Sequence, residues 1–125
     1  MKKLSTLFFC AVTFTIVTPS CTHSSGDTSL TLTESDHYYS MYAHFNKNKT
    51  REVEKYMDNL IGKQSNMSFV NTQIDGTVAL DDHTIFYIKK FPGFIKLKLD
   101  KNENSYESYH QVKAMCEGLK TVLTK

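Results

Sequence analysis

The sequence is short of most features that announce a function. It has only three cysteines in 125 residues, Cys10, Cys21 and Cys116. So small and odd a set is not a disulfide framework, and the fold must rest on its core. An excess of one charge is also missing. Of 15 basic residues, Lys2 and Lys3 fall in a leading segment, and the remaining 13 face 13 acidic ones. That balance lacks the basic signature of a nucleic-acid-binding domain, so no nucleic acid is expected as a partner. No G-x-S-x-G elbow, phosphate-cradling glycine loop or H-E-x-x-H helix occurs. No apolar run reaches the roughly 20 residues of a membrane-spanning helix. No internal repeat stands out, and no low-complexity block beyond one Ser/Thr-rich stretch. What remains, 40% hydrophobic and 22% charged, suits one folded domain of ordinary size.

The histidines do not assemble a site on paper. His37 and His44 differ by an odd number on one predicted strand and point to opposite faces. His83 follows Asp81 and Asp82 at a turn, a set too small for a zinc site without further ligands at fixed spacing. Cys116 and His110 share a predicted helix but sit about 120° apart around it, and Cys116 falls in an apolar stripe where a thiol acts as a small hydrophobe. No catalytic residue, metal or cofactor is assigned. An enzyme built from distant groups, with His83 and Asp81 or Asp82 as its first suspects, is the least favoured reading.

Residues 1–20 open with Met1-Lys2-Lys3, continue through an apolar stretch from Leu4 to Val17, and leave through Thr18-Pro19-Ser20. This is the layout of a secretory signal peptide. Cys21 follows directly. The segment resembles the signal of a bacterial lipoprotein, with Ser20 at the small position before the cysteine and Thr18 where an aliphatic residue is usual. The resemblance implies lipid on Cys21, a membrane as partner and, because Thr22 is not acidic, the outer membrane as address. Each buried methylene of the acyl chains adds about 0.8 kcal/mol of anchoring. Residues 21–35, rich in Ser and Thr, read as a flexible tether with a span of about 20 Å. Residues 36–125 form the domain.

Within the domain, His37 to Phe45 alternates as a strand. Val53, Tyr56, Met57, Leu60 and Ile61 recur at helical spacing, with Thr50 as expected N-cap and Gly62 as expected stop. Val70 to Leu80 alternates again, with Asp75-Gly76 as an optional hairpin break. Thr84 to Phe91 and Phe94 to Lys101 make a hairpin around Pro92-Gly93. A last helix carries Tyr109, Val112, Cys116, Leu119 and Leu123, with Asn104 and Glu107 spaced as a capping box. The order β-α-β-β-β-α predicts an α+β two-layer sandwich, a mainly antiparallel sheet with both helices on one face.

The opposite face is the candidate site. Alternation places Tyr38, Tyr42, His44, Tyr87, Lys89, Phe91, Phe94, Lys96 and Lys98 there, with Lys90 and Lys101 near its ends. Rings interleaved with lysines suit an envelope protein or a glycan. The expected function is a non-catalytic binding or accessory lipoprotein of the cell envelope. The alternative is a secreted or periplasmic inhibitor or immunity protein that uses Phe91-Pro92-Gly93-Phe94 as a wedge.

Overall fold

The computed structural model describes the backbone of residues 20–25 and 28–125, and side chains from residue 28 onward. Apart from Ser20, the expected signal segment lies outside the described residues. The fold is the expected α+β sandwich, but with two more strands. In chain order they are β1 (Ser20–Ser25), β2 (Thr28–Glu34) and β3 (Tyr38–His44), helix α1 (Thr50–Met57), β4 (Ile74–Ala79), β5 (Ile85–Phe91), β6 (Phe94–Asp100) and helix α2 (Tyr106–Leu123). One six-stranded sheet has the order β1-β2-β3-β6-β5-β4, and every neighbouring pair is antiparallel.

The additional strands correct the reading of 21–35 as a tether. Ser29 to Glu34 pair with β3, and Leu30 is 1% exposed within the hydrophobic core. The reason lies in register. Leu30 and Leu32 sit opposite Ala43 and Met41, so two apolar residues on alternate positions suffice to cover the flank of β3 when hydroxylated residues fill the other face.

Among the described residues, these six strands and two helices form two successive β-β-β-α halves. They meet at β3 and β6, whose register centres on Met41 opposite Leu97. The first half presents Tyr39, Met41 and Ala43 to the helices, and the second presents Ile95, Leu97 and Leu99, all buried. No repeat is visible in the residues, yet the topology repeats, because what both halves conserve is only which alternate positions are apolar.

Helix α1 buries Val53 and Met57. It then runs through a wider π-helical turn (Asp58–Gly62) and a last turn at Lys63–Ser65. Gly62 is therefore not the stop. Asn66, with φ 58°, ends the helix in the left-handed conformation that asparagine tolerates. Thr50 is not the cap either. Asn46 caps a preceding single turn by accepting from the Asn48 N–H at 2.8 Å, and the Thr50 hydroxyl accepts instead from Gly93 N–H at 3.0 Å. Helix α2 is capped by Ser105, which accepts from Ser108 N–H at 3.0 Å. Asn104 does other work, gripping both backbone groups of Ile85 and the carbonyl of Asp100.

Val112, Met115, Cys116, Leu119 and Leu123 of α2 are buried, each such side chain contributing about 1.5–3 kcal/mol of transfer free energy. Val70 to Gln73 does not join β4, and no hairpin forms at Asp75-Gly76, which lies inside the strand.

Candidate functional site

Strands β3, β6 and β5 form the middle of the sheet, and their outward positions carry every residue of the candidate face. Across β6 and β5, Lys98 lies opposite Tyr87, Lys96 opposite Lys89, and Phe94 opposite Phe91. Across β6 and β3, Lys96 also lies opposite Tyr42 and Phe94 opposite His44, while Tyr38 faces Asp100. Both helices pack on the other side.

Phe94 is the hub of a ring cluster. Phe91 stacks on it with centroids 4.7 Å apart and an interplanar angle of 15°, Tyr42 meets it edge-on at 5.2 Å, and His44 lies 5.0 Å away. The Tyr42 hydroxyl and His44 Nε2 are joined at 3.2 Å. In consequence Phe94 is only 6% exposed, which corrects the expectation that it stands open. Tyr38, Tyr42, Phe91 and the His44 imidazole are the exposed rings of the face. Tyr87 is half-buried and donates to Asp75 Oδ1 at 2.6 Å; that hydrogen bond, more than burial, raises its pKa.

The lysines of the face differ in their surroundings. Lys98 holds its ammonium 4.3 Å above the Tyr38 ring, a cation–π contact. Lys89 and Lys96 face one another across β5 and β6, and neither ammonium has an ion-pair, hydrogen-bond or ring partner among the described residues. Asp75 is the register neighbour of Lys89 on β4; its carboxylate accepts from the Tyr87 hydroxyl and keeps its charge.

Lys90 and Lys101 do not belong to this face. Lys90 points inward and is fully buried against α1, with Nζ 2.7 Å from Glu54 Oε2. It donates a second hydrogen bond to the Thr72 carbonyl, while Glu54 Oε1 accepts from Asn71 N–H at 3.1 Å. Lys101 joins Lys113 and the Tyr109 hydroxyl around Glu34, with ammonium-to-carboxylate distances of 2.8 and 3.3 Å. Burial alone would raise the Glu34 pKa, but hydrogen bonds from Lys101, Tyr109 and Lys113 outweigh it and hold the carboxyl at about 2. The signal for both clusters is in the alternation. Lys90 follows Phe86 and Ile88, and Glu34 follows Leu30 and Leu32, on the inward positions.

The Pro92-Gly93 turn is tied down. Gly93 has φ 82°, which with the fixed negative φ of Pro92 gives a type II turn. Its carbonyl accepts from Phe45 N–H at 2.9 Å, and a Cβ at Gly93 would lie 3.0 Å from the Phe45 oxygen. Phe91 and Pro92 are exposed at this turn, while Phe94 is folded into the ring cluster.

Asp81, Asp82 and His83 are exposed at their turn, His83 with φ 72°. Among the described residues, no three His, Cys, Asp or Glu side chains converge as a metal site. Cys116 is buried, and burial pushes its thiol pKa up; His110 is exposed and packs 4.3 Å from the Tyr106 ring. A groove of about 510 Å³ runs between β2, β3 and α2, lined by Leu32, Tyr39, Lys113 and Glu117 among others. Tyr39 keeps a buried hydroxyl with no partner among the described residues. Among those residues no helix is long and apolar enough to cross a membrane.

Compared with known proteins, the chain matches no family model, no curated protein and no solved structure.

Proposed function

We propose that this chain is a cell-envelope lipoprotein: exported by residues 1–20, anchored in the outer membrane by lipid on Cys21, and serving as a non-catalytic binding module whose helix-free face meets an envelope partner. The anchor rests on the signal layout and on the cysteine that ends it. The binding role rests on one observation, that the sheet face left uncovered among the described residues gathers Tyr42, Phe91, Lys89, Lys96 and Lys98 around a ring cluster.

The fold changes what such an anchor would do. Cys21 lies in edge strand β1, opposite Leu32, so no free spacer separates it from the sheet. Lipid there would hold the domain against the bilayer surface rather than some 20 Å away, the span of a flexible tether of that length.

The test is the intact mass of the protein from its host's membrane fraction beside a Cys21→Ala version. A chain starting at Cys21 with acyl mass, and a soluble variant, are expected. An unlipidated chain in the soluble fraction overturns the anchor.

A further inference from the structure

The uncovered face carries an unresolved electrostatic arrangement. Lys89 and Lys96 are directly opposite on adjacent strands, where Cβ atoms lie about 5 Å apart and like charges are destabilising. Lys98 follows Lys96 two residues on, on the same face, about 6.6 Å along the strand. Three ammonium-bearing side chains thus form a triangle at the centre of the sheet. Three carboxylates border it and keep their charge: Asp75, which accepts from the Tyr87 hydroxyl, Asp100, which accepts from Asn102 N–H at 2.8 Å, and Glu103 in the hollow beside Lys98. Among the described residues none of them forms an ion pair with a lysine of the triangle. Lys89 and Lys96 are half-buried, their stems lying along the sheet.

We propose that this face binds an anionic polysaccharide, with acid groups seated among Lys89, Lys96 and Lys98 and sugar rings lying on Tyr42 and Phe91. The proposal rests on the binding role assigned to the face above, and it names the partner's chemistry. Three features favour a glycan over an acidic protein. Lysine is depleted at protein–protein interfaces, where arginine and aromatic residues are enriched. An ammonium serves an anionic group as a point charge without demanding a planar, two-pronged partner. Tyr42 lies opposite Lys96 across β3 and β6 and Phe91 follows Lys89 two residues on along β5, so rings and charges adjoin in an order that an extended polymer can follow.

The experiment is retention of the mature protein, in detergent where it carries lipid, on four probes: polygalacturonate, neutral dextran, poly-L-glutamate and phosphatidylglycerol vesicles. Retention on polygalacturonate that weakens with salt, and none on dextran, is expected. Lys89→Gln with Lys96→Gln and Lys98→Gln should weaken it tenfold or more. The same triple change at Lys55, Lys63 and Lys120 on the helices should leave it within twofold. Tyr42→Ala with Phe91→Ala should weaken polygalacturonate binding and spare any binding to polyglutamate.

Failure to bind polygalacturonate overturns the proposal, as does equal loss in the helix-side triple variant. Tighter binding to polyglutamate or to the vesicles than to polygalacturonate also overturns it, in favour of a protein or a membrane. None of these outcomes touches the role of the face itself, which is read separately by crosslinking from Phe91.

Discussion

Glu34 and Lys90 occupy the same place in the two halves of the fold, with opposite charge. Glu34 is opposite Tyr39 near the end of β2, and Lys90 is opposite Ile95 near the end of β5. Each reaches inward to a helix: Glu34 to Lys113 of α2 at 3.3 Å, and Lys90 to Glu54 of α1 at 2.7 Å. One strand-to-helix ion pair per half thus ties each helix to the middle strand of the other half.

The Lys90–Glu54 pair is the buried one, with side chains 2% and 6% exposed. Removing either partner strands the other charge, so Lys90→Met or Glu54→Leu alone should cost about 3–5 kcal/mol. The double variant leaves no buried charge and should cost less than the sum. It still loses the partners of Asn71 N–H and Thr72 C=O, about 1–3 kcal/mol each. Urea unfolding of the four species measures the coupling, and additive costs would contradict the pairing.

The Glu34 cluster should appear as a pH dependence. Its carboxyl is held at about 2 against an ordinary 4.5, so the stability it contributes is present above about 4.5 and lost as pH falls toward 2. Solvent around the one-third-exposed side chain keeps the contribution to about 1 kcal/mol. Wild type should exceed Glu34→Gln by that amount at pH 7 and converge with it near pH 2, as read by unfolding midpoints. A gap that stays constant over this range would show that the charge is not the cause.

Leu30 separates a strand from a spacer. It is buried in the core, so Leu30→Ala should destabilise the domain by about 2–5 kcal/mol, as other large-to-small core changes do. A flexible linker would give no change in the unfolding midpoint.

Much of this architecture is legible in the residues. Alternation in His37 to Phe45 and in the 84–101 hairpin places the inner and outer faces correctly, and i, i+3, i+4 spacing finds both helices. What escapes is whatever depends on a partner element. Leu30 and Leu32 become a strand only because β3 offers a flank to cover. Thr50, Gly62 and Asn104 carry local cap signals, but tertiary hydrogen bonds to Gly93 and Ile85, and a helix that continues past Gly62, take precedence. The candidate face is legible in membership but not in depth. Alternation puts Phe94 on it and cannot say that Phe91, Tyr42 and His44 close over that ring. Alternation does mark Lys90 as inward after Phe86 and Ile88; what it leaves out is the Glu54 carboxylate, on another element, that lets a charge sit there.

Gly93 tests how firmly the hairpin beneath the ring cluster is held. An alanine there meets both the positive φ and the Phe45 carbonyl, so Gly93→Ala should cost about 1–3 kcal/mol. It should also broaden the aromatic NMR signals of Phe91 and Phe94. Unchanged stability would mean the turn can relax without disturbing the site.

The most direct measurement is photocrosslinking in the living host, with a benzophenone side chain at Phe91 on the uncovered face and, separately, at Glu52 on the exposed side of α1. Adducts of higher mass are expected from position 91, lost when Lys89, Lys96 and Lys98 become glutamine, and none from position 52. Equal adducts from both positions, or none from position 91, would contradict the assignment of this face as the binding surface.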